Sequence, residues 1–238
     1  MSIAEKLVTV AENQQKVFEA GAKWAEQEKP WLNEWFNDGD THIWIELCEG
    51  RTSPLLRLAV TGTATIDWGD GTAPDVCTGT SSYVMKDVAK HEYAKPGNYI
   101  ITIKHPVDYI RFLNTNGKAG FFVNSDDSED VLNDAYRCAV KKIEFAPSTK
   151  DSGQFYEMYG LTSIVSTGNP VALNIYNLSG CCNLRVADFS SYTAVPALSR
   201  DIFVGTPPDL KIRVPAALYD EWIAATNWVA HASKIVAV

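Results

Sequence analysis

The sequence predicts a multidomain, mainly β protein: an N-terminal α-helix, a small β-sandwich, and a short repeat solenoid with a C-terminal helical cap. Three observations predict it. Apolar residues near the N-terminus recur at alternating intervals of four and three, the spacing of a helical seam. Two turn dipeptides, Asp70-Gly71 and Pro96-Gly97, lie next to short β-prone runs. Beyond His105, four segments can be laid over one another at intervals in the low twenties, as in repeat architectures. The expected divisions are 1–38 for the helix, 39–105 for the sandwich, 106–129 for a connecting segment and 130–238 for the repeats and cap.

Ser2 and Glu5 have capping-box spacing, and Ile3, Leu7, Val10, Gln14, Val17, Gly21 and Trp24 follow as a heptad seam. The outward face, with "AEK", "ENQQK" and "EQEK", is highly charged, and Gln14 is a polar seam residue of the kind that sets register and oligomer number. Gly21 lowers helix propensity and leaves a hole. Pro30 is expected to end the helix. The seam predicts a parallel homotrimer, or attachment to another protein. An amphipathic helix lying on its own domain is the alternative. Trp31, Trp35 and Phe36 are expected to pack the junction with the first sandwich strand, not to form a ligand platform.

In the sandwich segment "TIDWGDGTAP" is answered by "HEYAKPGNYIITI". Tyr99, Ile101 and Ile103 share one face of a strand, while Asn98, Ile100, Thr102 and Lys104 take the other. Tyr93 is placed to fold its hydroxyl back onto the backbone, as corner tyrosines do in sandwiches. The paired motifs resemble the PKD family of immunoglobulin-like modules over about residues 41–105. Some PKD-like modules bind calcium, and Asp67 and Asp70 flank the turn. The expectation here is that Asp70 bonds its own turn backbone and Asp67 faces solvent, because a calcium site needs more oxygens than this loop provides.

"DAYRCAVKKIEFA", "YEMYGLTSIVS", "LSGCCNLRVADF" and "GTPPDLKIRVP" align on Val140, Leu161, Leu184 and Leu210, at spacings of 21, 23 and 26. Each has an apolar residue shortly before a β-prone run, the sign of a leucine-rich solenoid whose units bury together what none can bury alone. "SGCCNLRV" looks like the core of the degenerate leucine-rich repeats of BspA-like bacterial surface proteins. "LKIRVPAALYDEWIAATNWVAHASKIVAV" is similar to the closing cap of such arrays. Ala216 to Thr226 is rich in helix formers, with Leu218, Trp222 and Ile223 on one stripe. The repeats depart from that pattern through irregular length and the "TGNPVALN" and "SSYTAVPALSRD" insertions.

Of 238 residues, 46% are hydrophobic and 11% aromatic, which supplies a core and argues against wholesale disorder. The formal net charge of −8 repels phosphates and anionic lipid, so neither nucleic acid nor membrane is the expected main partner. No apolar run approaches membrane-spanning length, and the N-terminus lacks the basic start and apolar core of a secretory signal, so assembly in the cytoplasm is expected. Cys48, Cys77, Cys138, Cys181 and Cys182 are odd in number and lack CxxC spacing, which predicts buried free thiols. His42, His91, His105 and His231 are scattered without metal-ligand spacing, and "NSDDSED" at 124–130 reads as a solvated linker. No GxSxG, Walker-type or dinucleotide motif occurs, so no catalytic, metal or cofactor residues are expected.

The opening "MSIAEKLVTVAENQQKVFEAG" resembles the start of tail-associated structural proteins of phages and prophages of gut Firmicutes. Together with the module order, this implies a non-enzymatic virion protein of the tail or baseplate, contacting other virion proteins and a protein or glycan of the host surface. A bacterial cell-surface adhesin and a carbohydrate-binding accessory module are the alternatives, the latter suggested by 7 tryptophans and 10 tyrosines. Replacing both Leu7 and Val17 with glutamate in the full chain is expected to dissociate a trimer to monomers, read as solution mass by light scattering. The β domains should stay folded in that variant; an unchanged assembly mass contradicts the seam.

Overall fold

The computed structural model describes residues 30–33, 35–80, 86–104, 109–112, 122–124, 136–145, 152–168, 176–198 and 201–238. The chain divides into two units, Met1–Glu34 and Trp35–Val238. In the first, the described part is a helical turn, Pro30–Asn33. Pro30, expected to end a helix, opens this turn, where its missing N–H costs no hydrogen bond. The seam positions Ile3, Leu7, Val10, Gln14, Val17, Gly21 and Trp24 lie outside the described residues, as does most of the acidic run at 124–130.

Trp35–Val238 is mainly β. Its strands are β1 (Thr41–Leu47), β2 (Pro54–Asp67), β3 (Asp75–Thr80), β4 (Lys86–Lys90), β5 (Gly97–Lys104), β6 (Tyr109–Phe112) and β7 (Phe122–Asn124). They continue as β8 (Val140–Phe145), β9 (Ser152–Gln154), β10 (Ser163–Ser166), β11 (Tyr176–Asn177), β12 (Val186–Asp188), β13 (Lys211–Val214) and β14 (Ile235–Ala237). All belong to one mixed sheet in the order β11-β9-β6-β2-β5-β1-β8-β10-β12-β13-β14, with β3, β4 and β7 also paired to β2. β2 pairs in turn with β4 and β7 near its start, β6 and β3 in its middle, and β5 at its end. These pairs are antiparallel, whereas β8, β10, β12, β13 and β14 run parallel to their neighbours within that group.

The segments expected to be separate, 39–105 and 130–238, share this sheet through β1. One edge of β1 pairs antiparallel with β5 and the other antiparallel with β8. The register aligns Ile101 with Ile43, Ile43 with Ile143, and then Ile164, Ala187, Ile212 and Ile235. Every residue of that row is buried. β-Branched side chains pack well as cross-strand neighbours, which makes such a row the natural spine of a mixed sheet. Behind it, Phe112 of β6, Phe145 of β8 and Phe155 after β9 meet with centroids 5.4 to 5.9 Å apart, tying the β6–β9–β11 strands to β8.

The repeat alignment matches the register at Val140, Leu161 and Leu184, each three residues before a row member. Leu161, Leu184 and Leu210 close the same turn, their amides donating to the Met158, Cys181 and Pro207 carbonyls, so the spacing of 26 holds at that position, while Leu210 stands two before Ile212 and the row interval from Ala187 is 25. Successive units repeat the same turn bonds: Met158 to Phe155, Cys181 to Leu178 and Thr206 to Phe203, each amide to carbonyl. Glu157, Gly180 and Gly205 occupy matching left-handed positions, with φ of 55°, 76° and 74°. The Glu157 amide donates to the Ser179 carbonyl and the Gly180 amide to that of Val204, so each unit satisfies the next.

The expected Ala216–Thr226 helix is shorter. A 3-10 turn, Ala216–Leu218, leads into α-helix Tyr219–Ala224, and a second 3-10 segment, Trp228–Lys234, follows. Ala225, in an extended conformation, ends the helix, and Asn227, at φ 67°, precedes the second 3-10 segment and donates from Nδ2 to the Leu198 carbonyl. That turn lets Trp228 pack edge-on against Trp222, 4.5 Å between centroids, over Phe189. A continuous helix would have carried one of these indoles to solvent.

Around the "WGDG" turn the Tyr93 hydroxyl donates to the Trp68 carbonyl at 3.0 Å, and His91 stacks on the Trp68 indole at 4.7 Å. His91 Nε2 lies 2.8 Å from Asp70 Oδ2, while Asp70 Oδ1 accepts from the Thr72 amide and hydroxyl. Asp67, expected to face solvent, accepts from the Gly69 amide at 3.0 Å. Gly69, at φ 76°, has no room for a Cβ beside the Ile100 carbonyl. Desolvation pushes the Asp70 carboxyl up, but the Thr72 and His91 hydrogen bonds outweigh it and hold the group at about 2, below its ordinary 3.8. A carboxyl lowered on folding stabilises above its unfolded value and loses that contribution as pH falls through its folded value. Stability of the wild type should therefore decline between about pH 4 and 2. Asp70→Asn should flatten that decline in urea unfolding midpoints measured across this range, and an undiminished acid slope would contradict the network.

Candidate functional site

The sheet row next to the apolar spine points to its opposite face. There the register sets His42 beside Glu144, Glu144 beside Val165, Val165 beside Asp188, and Asp188 beside Arg213. Parallel strands place equivalent residues side by side, so one outward position per repeat yields a line of side chains about 4.8 Å apart. The segment Trp35–Asp38 lies along the β1 and β8 end of this row.

Glu144 holds that segment. Its Oε2 accepts from the Phe36 amide at 3.0 Å and its Oε1 from the Asn37 amide at 2.6 Å. His42 bonds Asp38 through Nε2 at 2.9 Å and Thr102 through Nδ1 at 3.1 Å. Desolvation raises the Asp38 carboxyl, but the hydrogen bonds from His42 and from the Asp40 amide, with the attraction of His42, hold it below the ordinary carboxylate range. Lys142 is fully buried, its Nζ 3.1 Å from the Trp35 ring centroid and 4.0 Å from that of Trp44. A desolvated ammonium over an indole is attracted by about 2 kcal/mol or more.

Trp35 and Phe36 thus pack against His42, Trp44 and Lys142, yet remain 42% and 41% exposed. Trp35 lines a cleft of about 240 Å³ bounded by Trp35 and Asn37 at one end and Asp188 and Arg213 at the other. Arg213 Nη1 lies 2.9 Å from Asp188 Oδ2, and Asp188 Oδ1 accepts from the Ser190 amide at 2.9 Å. Thr167 and Ser191 donate to the Phe145 and Ser166 carbonyls, and their oxygens keep acceptor capacity along the cleft wall. The arrangement can bind a polar ligand with an apolar face; it aligns no nucleophile with a base.

His91 and Asp70 pair within the turn, and His231 Nε2 stands 3.2 Å from Asp201 Oδ1. Among the described residues no three His, Cys, Asp or Glu side chains converge. No helix among them is long and apolar enough to cross a membrane. Of the five cysteines expected to be buried, Cys77 and Cys181 are, whereas Cys48, Cys138 and Cys182 are exposed. Cys181 points inward and donates to the Phe155 carbonyl at 3.0 Å while Cys182 faces out, so the adjacent pair diverges. Burial pushes the Cys181 thiol up to about 12, which keeps it unreactive.

Sequence reasoning missed Lys142, Glu144, Asp188 and Arg213, whose juxtaposition needs the register of four strands. The signal available was the outward position of each aligned repeat. Glu144→Gln keeps the shape but turns one acceptor oxygen into an NH₂ facing a backbone N–H. The expected cost is about 1 to 3 kcal/mol in urea unfolding, with a Trp35 emission change as the segment loosens. Unchanged stability and emission would contradict the clamp. No protein-family model, curated protein or solved structure matches the chain.

Proposed function

We propose that the chain is a non-enzymatic structural protein of a phage or prophage virion, a part of the tail or baseplate that meets the host surface. In this reading the antiparallel strands of 39–105 are a PKD-like sandwich, the parallel strands of 130–238 are a BspA-type leucine-rich array, and the N-terminal seam gathers subunits. The observation that carries the reading is the two-sided pairing of β1, which joins the two blocks into one platform and sets the cleft on its outward face. Further support comes from the Tyr93 corner bond and the matching left-handed turns at Glu157, Gly180 and Gly205. A site held by a hydrogen-bonded sheet is suited to binding a surface repeatedly without rearrangement. Three copies on one stalk would add avidity without new contacts.

Antibody raised against the chain is expected to label the tail or baseplate of particles induced from a lysogen encoding it, seen by immunogold electron microscopy. The purified full chain should also adhere to intact host cells. Particles free of the chain, with label on the surface of uninfected cells, would overturn the virion reading in favour of an adhesin.

A further inference from the structure

We propose that the cleft between Trp35 and the Asp188–Arg213 pair binds one ring of a neutral oligosaccharide. This rests on the recognition reading above and names the class of its ligand. Lys142 takes one face of the Trp35 indole, and Trp35, still 42% exposed, lines the cleft. The ring is already fixed by Lys142 and by its edge contact with Trp44 at 6.0 Å, so little side-chain freedom is lost when a ligand lies on it. The negative face of an indole attracts weakly positive hydrogens, and the C–H face of a pyranose presents a set of them.

The charges around the cleft select against an ionic ligand. Asp188 is matched by Arg213 and the Ser190 amide, and Glu144 by two backbone amides. A carboxylate or ammonium on the ligand would have to break one of these pairs, which costs more than a neutral contact returns. Sugar hydroxyls need no such exchange. They donate to the lone pairs left on Asp188 and accept from N–H groups of Arg213, a side chain with five donors.

Size and backbone chemistry argue against a peptide. The volume of about 240 Å³ lies below the roughly 300–1,000 Å³ of pockets for drug-sized ligands, and suits a single ring whose neighbours extend along the open surface. An extended peptide binds by adding a strand to a free sheet edge. The strands under the cleft, β8, β10 and β12, are each paired on both sides, so no edge is offered there.

The test uses the full chain, titrated by calorimetry and tryptophan fluorescence with cellotetraose, chitotetraose and maltotetraose, and with tetragalacturonate as the charged counterpart. The expected result is saturable binding of at least one neutral tetrasaccharide with a Kd of about 1 mM or tighter, and none of tetragalacturonate. Trp35→Ala and Ser190→Trp should each weaken it at least about tenfold. Ser190 is exposed beside the cleft, so its replacement by tryptophan fills the site, and an unchanged melting temperature separates blockage from unfolding. No response to any neutral tetrasaccharide, equal binding of the uronate, or binding undiminished in folded Ser190→Trp would each overturn the proposal. Adhesion of the wild type to host cells without any oligosaccharide response would overturn the ligand class alone. Loss of adhesion as well would overturn the recognition reading with it.

Discussion

A strand paired along both edges and covered on both faces leaves no backbone group or side chain free to choose its surroundings, and β1 is such a strand. Its amides and carbonyls are divided between β5 and β8, Ile43 and Ile45 lie in the core, and His42 and Trp44 are buried on the other face. Slipping it by one residue would send the isoleucines to the polar side and His42 into the core, breaking the row from Ile101 to Ile235. The antiparallel and parallel blocks therefore fix one another's register through seven residues of β1.

That constraint also shapes the outward face. Because the spine occupies alternate positions, the positions between them must project the other way, and in this chain they are His42, Glu144, Val165, Asp188 and Arg213. Two of them, Glu144 and Asp188, are nearly buried despite their charge, and each is satisfied by local amides or a guanidinium. Lys142, on the same face one pair along, is covered by Trp35 and Trp44. The fold thus holds the cleft wall rigid by the same bonds that desolvate it.

Much of this was legible in the sequence where the signal is local. The alternation in β5, the turn at Asp70-Gly71 and the corner role of Tyr93 follow from neighbours a few residues away, and the structure has Ile101 and Ile103 inside with Asn98 and Lys104 outside. The unit spacing at Val140, Leu161, Leu184 and Leu210 came from matching apolar positions, and what it did not show is that one residue fewer separates Leu210 from the row at Ile212. The partnership of β1 with β8 was not legible. Thr41–Leu47 reads as an ordinary buried strand, and nothing within it specifies a partner about a hundred residues away. For the same reason the site was missed, since Glu144 and Asp188 look like solvated charges until the register brings them to Trp35 and Arg213. The break in the cap was not legible either, because an extended Ala225 followed by a left-handed Asn227 is a matter of packing more than of composition.

The most direct test of this account is hydrogen exchange by mass spectrometry on the full chain in rising urea, following peptides that cover β5, β1, β8 and β10. If β1 joins the two blocks into one cooperative unit, these peptides lose protection together, at one urea concentration and with one opening free energy. Loss of protection in β8 and β10 while β5 and β1 remain protected, or the reverse, would show two units that fold independently and contradict the shared sheet.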